Sequence, residues 1–303
     1  ETVWLCEVSN VVLQQSLRNL DTAFANFFQK RAKYPSFKSK HGPQSARYTT
    51  SGFRIKAGEL WRAKMSAPLD RRWSRKVKGE GSSVTVSKDA AGRYFASLLS
   101  TEEVETLPVV SKEIGIDLGL KDALITSDGW AHPNPKFFVK AQERLARAQR
   151  SLSRKKKGSK NRAKARVKVA RIHAKVADSR RDWSHKLTTQ LIRENQVISA
   201  ESLAVKNMVK NHSLAKAIHD VGWSEIVRQL EYKAKWDGRT FVQIDRFYPS
   251  SKRCSCCGHT LAALPLATRA WDCPECGAQH DRDINAAINL REAGMAILAG
   301  AEM

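Results

Sequence analysis

The chain has 303 residues, 53 of them Lys or Arg against 30 Asp or Glu, for a formal net charge of +23. That length allows two or three compact units, and so large a charge repels itself unless a polyanion offsets it, which makes nucleic acid the natural partner. No apolar run approaches the roughly 18 residues of a membrane span, the polar start through Glu1, Glu7, Ser9 and Asn10 does not read as a secretory signal, and no amphipathic anchor or lipidation site accompanies the positive charge. No membrane partner and a cytoplasmic location are expected.

Leu13, Leu17, Leu20, Phe24, Phe27 and Phe28 recur at helical spacing behind Ser9 or Asn10 as a cap, and are expected to form a core-packing stripe. The helix begins almost at Glu1, with no initiator methionine, so an upstream segment is expected to be missing. From Tyr34 to about Ser111 the texture changes to short alternating runs with Pro, Gly and Ser between them. Ser83-Val84-Thr85-Val86 and Tyr94-Phe95-Ala96-Ser97-Leu98 flank Asp89-Ala90-Ala91-Gly92 as a β-hairpin, and the region reads as a small β-barrel or sheet. Glu113 to Leu118 and Ala123 to Thr126 are then two strands joined by a turn, with Asp117 set among apolar residues.

Residues 136–181 hold 18 Lys and Arg and two acids, Glu143 and Asp178. Apolar positions at helical spacing (Leu145, Ala148, Leu152; Val169, Ile172, Val176) give two helices, interrupted at Gly158-Ser159 by a basic elbow. A solvated charged face is the ordinary meaning of a charge run, but apolar stripes under charge of one sign call for phosphates. Arg154, Lys155, Lys156, Lys157, Lys160, Arg162, Lys164 and Arg166 are the candidate nucleic-acid contacts. Gln196 to Glu201 reads as a buried strand ending in a carboxylate, Trp223 to Trp236 as a helix, and Arg239 to Phe247 as another strand, so the whole is mixed α/β.

Five of the six cysteines fall within 23 residues, and Cys254, Cys257, Cys273 and Cys276 have the spacing C-x2-C-x15-C-x2-C. Four thiolates from two such knuckles can hold Zn(II) tetrahedrally, and the glycine after each pair lets the backbone turn toward the sulfurs. A closed set of four thiolates leaves no open position, so this zinc is structural. Cys256 is a spare thiol, Cys6 lies far away, and His259 and His280 read as surface or packing histidines.

Asp281 and Asp283 open the last helix, where an aspartate is ordinarily a cap. Asp117 inside one apolar strand and Glu201 at the end of another are costly to bury without a cation, and with an aspartate of that helix they can meet in one site. Here the chain resembles the TnpB family, RNA-guided nucleases carried by bacterial transposons and ancestral to type V CRISPR effectors. The resemblance rests on Gly115-Ile116-Asp117-Leu118-Gly119, on Glu201 through Met208, on Tyr248-Pro249-Ser250-Ser251-Lys252, on the two knuckles, and on His280-Asp281-Arg282-Asp283-Ile284-Asn285-Ala286-Ala287, in the family's order. Tyr34 through Lys40 and Ser83 through Asp89 also resemble its recognition lobe and wedge domain. At the N-terminus the chain is expected to depart from the family, without its first strand and much of that lobe.

The resemblance implies an α/β protein with an RNase H-like (RuvC) nuclease domain carrying an inserted zinc ribbon, preceded by a β-barrel wedge domain and a remnant of a helical recognition lobe. The expected divisions are a recognition-lobe segment at 1–33, the wedge at 34–111, the first two RuvC segments at 112–248, a target nucleic-acid-binding zinc ribbon at 249–280 and the third RuvC segment at 281–303. It implies that Asp117, Glu201 and Asp283 are the catalytic carboxylates, Asp283 being preferred to Asp281 because it stands two residues before Asn285. Such a trio suits two Mg(II) ions, with Mn(II) as a substitute, one activating water and the other stabilising the leaving oxygen. The implied partners are a guide RNA from the transposon end and double-stranded target DNA, with monomer and dimer both open. Three rivals are weaker: a nuclease-inactive RNA-guided repressor, although all three acids are present; a zinc-ribbon transcription or RNA-processing factor, which leaves the carboxylates unexplained; and a DDE transposase, which does not fit the order of segments.

Overall fold

A computed structural model describes residues 4–37, 42 and 44–300. It divides into two compact units, Glu1–Glu103 with Ala148–Arg171, and Val104–Arg147 with Ile172–Met303. Lys38 to Lys40 of the Tyr34 segment lie outside the described residues.

The first unit opens with helices α1 (Trp4–Glu7) and α2 (Asn10–Phe28). Ser9 stands at the N-cap of α2, but its hydroxyl makes no capping bond and is buried without a partner. The expected core stripe is a correction: Val11 and Gln15 are the buried residues of α2, whereas Leu17, Leu20 and Phe28 are exposed. Val11 packs where Gly52 leaves room for it, and farther along the aromatics satisfy one another, Phe24 and Phe27 meeting Tyr34 edge-on at 5.7 and 5.2 Å. Strands β1 (Gln44–Thr49), β4 (Gly81–Lys88) and β5 (Tyr94–Ser100) form an antiparallel sheet in the order β1-β4-β5. The β4–β5 turn is tied by Asp89, whose carboxylate accepts from Arg93 N and Nε, and Gly92 adopts φ +83°. Strands β2 (Phe53–Lys56) and β3 (Glu59–Arg62) form a separate hairpin whose two turn residues, Ala57 and Gly58, both have positive φ, the left-handed geometry a two-residue loop requires. Among the described residues these strands pair as one sheet and one hairpin, with no barrel closure.

The second unit is built on a five-stranded sheet in the order β10-β9-β6-β7-β8. Its strands are β6 (Glu113–Asp117), β7 (Asp122–Thr126), β8 (Ala131–Pro133), β9 (Val197–Glu201) and β10 (Thr240–Ile244). β6, β9 and β10 run parallel, while β7 and β8 are antiparallel additions on the β6 side. β8 is too short to show in the pattern. Between β8 and β9 come α3 (Phe137–Ser153) and α4 (Lys160–Glu194); α4 outruns the basic stretch because its second half carries Leu187, Leu191 and Ile192 into the core. α5 (Val205–Met208), α6 (His212–Val221) and α7 (Trp223–Asp237) follow β9, and α8 (Arg282–Leu298) is the last element among the described residues.

The two faces of the central strands separate by the period of two. Ile114, Ile116, Ile198 and Ala200 join the core with α4, α6 and α7. Val197, Val242 and Ile244 pack with Leu290 and Ala293 of α8 on the other face. There α8 comes close because two glycines permit it: a Cβ on Gly115 would stand 1.9 Å from Ala287 O, and one on Gly294 1.9 Å from Ser199 Oγ.

Candidate functional site

The alternation that aims Ile116 and Ala200 into the core aims Gly115 and Ser199, and with them Asp117 and Glu201, at α8. β6 and β9 pair in parallel with Gly115 opposite Ser199 and Ile116 opposite Ala200, so the next step brings the last residues of both strands, Asp117 and Glu201, side by side. α8 runs over this face and its first turn supplies Asp283. All three carboxylates line one cavity of about 480 Å³, together with Lys121, Asp122, Arg269 and Arg282. Burial first, then the charges of Asp283 and Glu201, push the Asp117 carboxyl up to about 7, with Arg282 acting in the opposite direction. Burial also raises Glu201. Anions gathered out of water in this way favour a proton or a cation.

Asp281 is the N-cap of α8, accepting from the backbone N–H of Asp283 and Ile284 at 3.0 and 2.9 Å, which leaves the Asp283 side chain free for the cavity. There Asp283 is held by Arg269, 3.3 Å away. Among the described residues only the four cysteines bring three or more potential ligand atoms within 4.8 Å of one another, so the carboxylates share a cavity without yet converging at its centre.

Cys254, Cys257, Cys273 and Cys276 do converge, with Sγ–Sγ separations of 3.7 Å for Cys254–Cys276 and 3.6 Å for Cys257–Cys273. Tetrahedral bonds of about 2.3 Å require sulfurs about 3.8 Å apart, so the donors fit a zinc ion as they stand. Each knuckle closes on its glycine: Gly258 N bonds Cys254 O, Gly277 N bonds Cys273 O, and both glycines have positive φ. Burial resists ionisation of Cys254, but the N–H groups of Cys257 and Cys256 and the neighbouring thiols outweigh it and bring that thiol down to about 7. Cys256 is exposed and outside the cluster. His280 is buried on β12 (Gln279–Asp281), which pairs with β11 (Ala270–Asp272); it packs on Trp271 and approaches Cys254 Sγ at 3.0 Å. His259 is a surface group whose backbone carbonyl accepts from Cys254 N.

In the basic elbow, Arg154, Lys155, Lys156, Lys157, Lys160, Lys164 and Arg166 are exposed, and none is in a salt bridge among the described residues. Arg162 differs: it is half-buried and its Nη1 donates to Leu152 O and Lys155 O, bracing the turn between α3 and α4.

Several site residues carry little or no signal in the sequence. Arg269 and Arg282 have no distinguishing pattern. Gly115 has one, since glycine inside an apolar strand signals close approach of another backbone. Asn285 and Asn289 have one too: asparagine is a poor helix former, yet here it recurs four residues apart on one buried face.

Comparison with known proteins agrees with this architecture. Residues 96–212 match the family model described as "Probable transposase", and residues 223–290 match that of the "Cas12f1-like, TNB domain". A Cas12f1–sgRNA–target DNA complex solved by cryo-electron microscopy shares the fold at a TM-score of 0.57, with 14% identity, over 90% of this chain and 69% of that one. The class is therefore an α/β protein of Cas12f1-like fold. A Streptomyces pristinaespiralis protein named "Putative RNA-guided DNA endonuclease" is 51% identical over 99% of this chain and 75% of its own length. InsQ of Escherichia coli K12, named in the same way, is 36% identical over 100% and 79%. More distant relatives are named TnpB-like. This chain belongs to the TnpB family of RNA-guided DNA endonucleases.

Proposed function

We propose that the protein is an RNA-guided DNA endonuclease whose cutting site is the cavity of Asp117, Glu201 and Asp283, within an RNase H-like (RuvC) domain. The observation that carries this reading is the arrival of three carboxylates from β6, β9 and α8 in one cavity at the C-terminal ends of two parallel strands. The strand order supports it, as does the likeness to a complex that contains guide RNA and target DNA. Two Mg(II) ions, or Mn(II) in their place, would supply an activated water and stabilisation of the leaving oxygen. Asp117 and Glu201 give the fixed side of the site, being strand residues backed by the core. Asp283 gives the adjustable side, exchanging Arg269 for a cation, and Arg269 and Arg282 then face a phosphate that enters the cavity.

The four cysteines would hold a structural zinc, making 249–280 a ribbon for target nucleic acid, with 281–303 as the third RuvC segment and 112–248 the first two. Residues 34–111 would be the wedge and 1–33 part of the recognition lobe. The exposed cations of the elbow would contact a guide RNA transcribed from the transposon end, or its duplex with one strand of target DNA, by holding backbone phosphates while base pairing carries sequence. The proposed place of work is the cytoplasm; among the described residues no helix is long and apolar enough to cross a membrane.

The test is cleavage of a plasmid bearing the matched target by protein with its co-purified RNA and Mg(II). Cutting that Asp117→Ala abolishes while guided binding survives is the expected result. Guided binding without cutting by the wild-type chain would instead identify a repressor, and strand joining would vindicate the transposase description.

A further inference from the structure

Between the cysteine cluster and the carboxylate cavity lies a small buried network that neither site accounts for. Asn285 and Asn289 are each 1% exposed on α8. Asn285 Nδ2 donates to Arg253 O at 2.8 Å and reaches Ser250 O at 3.4 Å, and its Oδ1 accepts from Ser255 N at 3.0 Å. Asn289 Nδ2 donates to Ser250 O and Arg253 O at 2.8 and 2.6 Å. Arg253 and Ser255 are the two chain neighbours of Cys254, and Ser250 lines the carboxylate cavity. The first knuckle is thus fastened on both flanks of a cysteine to a side chain two residues beyond Asp283. On a helix, two residues apart means nearly opposite faces: Asp283 looks into the cavity while Asn285 looks into the knuckle.

From this geometry we infer that Asn285 is a positioning residue, splicing the first cysteine knuckle to the opening turn of α8 so that metal binding by the cysteines sets where Asp283 stands. The inference rests on the reading of Asp117, Glu201 and Asp283 as a cation site. Asp281 already caps the turn, so the helix forms without Asn285. What Asn285 adds is placement, by using both of its hydrogen-bonding ends. Asn289 donates to the same two carbonyls but does not touch the knuckle amide, so it steadies the strap without reading the knuckle. Removing a hydrogen bond that orients a metal-binding group commonly weakens metal affinity by about tenfold or more.

The experiment measures Mn(II) binding by the paramagnetic resonance signal of the free ion, on full-length protein with its RNA, alongside zinc content and thermal melting. The variants are Asp283→Asn, Asn285→Ala, Asn285→Asp, Asn289→Ala and Cys276→Ser. Asp283→Asn tests the cation site itself and is expected to abolish tight Mn(II) binding. Asn285→Ala is expected to weaken Mn(II) binding by about tenfold with zinc still at one per chain; Asn285→Asp, which keeps the acceptor and loses the donor, falls between it and wild type, and Asn289→Ala does less. Cys276→Ser, lacking zinc, is expected to match Asn285→Ala, and the double variant to be no worse than Cys276→Ser alone. Unchanged Mn(II) affinity in Asn285→Ala while Asp283→Asn loses it overturns the inference and leaves the cutting site standing. Unchanged affinity in Asp283→Asn overturns both. If Asn285→Ala melts before binding can be read, Asn285→Asp carries the same comparison, and wild-type affinity in it overturns the inference.

Discussion

The cysteine cluster and the carboxylate cavity are two candidate metal centres built by opposite means. Each cysteine pair is shaped by its own tight turn, in which a glycine N–H closes on the first cysteine's carbonyl, and the four sulfurs already stand at bonding separations. The carboxylates come from positions 117, 201 and 283, and what unites them is strand register, the alternation of faces and the seating of α8. A centre made by local turns carries its geometry in its spacing, whereas one made by packing carries it in everything that holds the layers together. The first should fail when a ligand is removed; the second should also fail when distant packing is disturbed.

The largest expected effect lies in the first centre. Cys276→Ser should take bound zinc from about one per chain to none, since ligand-set completion is worth on the order of 10 kcal/mol in small zinc modules; elemental analysis with limited proteolysis of 249–280 reads both consequences. Retention of stoichiometric zinc would end the claim that this centre is complete with four thiolates. Next comes Asp117→Ala, expected to lower cleavage by about 10³-fold or more with guided binding unchanged.

These two differ in legibility for the same reason. The candidate zinc ligands can be named from C-x2-C-x15-C-x2-C because thiolate chemistry and turn geometry are local. Asp117 and Glu201 stand out as costly acids in apolar strands, whereas Asp283 opens a helix, and the roles proposed for all three come from a resemblance, because no spacing rule states that residue 117 will face residue 283. Short elements are harder still: β8 has three residues, and α6, ten residues long, is not anticipated although its apolar positions share one face. The stripe of α2 misleads because helical periodicity says which residues share a face, not whether another surface covers it.

Gly115→Ala tests the dependence on packing directly. The added methyl would meet the backbone oxygen of Ala287, not a movable side chain, so α8 must shift or the strand must bend. A loss of about 3 kcal/mol in denaturant stability is expected, together with weaker divalent-ion binding, although Gly115 touches no ligand. A stable variant with normal ion binding would mean that the cavity does not depend on how α8 is seated.

A smaller effect should follow from Asp117 itself. Its folded pKa of about 7 lies above the ordinary 3.8, so between about pH 4 and 7 the folded chain keeps a proton that the unfolded chain has released. Without divalent ions, stability should therefore fall as pH rises through that window and level off above 7, by about 2 kcal/mol once screening by cavity water is allowed for. Asp117→Asn should flatten the profile, and Mg(II) should restore stability on its alkaline side. Melting temperature against pH, with and without Mg(II), decides it, and a flat wild-type profile would remove the electrostatic argument for a cation.

The smallest effect per residue belongs to the basic elbow, which is a charged surface without a convergent centre. Lys155, Lys156 and Lys157 are exposed at the Gly158 turn, so each should act as a separate phosphate partner that exchanges with salt. Replacing all three with alanine should reduce the slope of log affinity against log salt by roughly 0.7 to 0.9 for each phosphate that is no longer neutralised, leaving zinc content and divalent-ion binding untouched. Arg162 is the internal control, because its guanidinium is spent on Leu152 O and Lys155 O. Arg162→Ala should loosen the turn, seen as faster amide exchange at residues 152–160, before it changes the salt slope. A triple-alanine variant with the wild-type slope would place nucleic-acid binding elsewhere on the surface, whereas a slope that drops as much for Arg162→Ala as for three lysines would mean that the elbow is a shaped site after all.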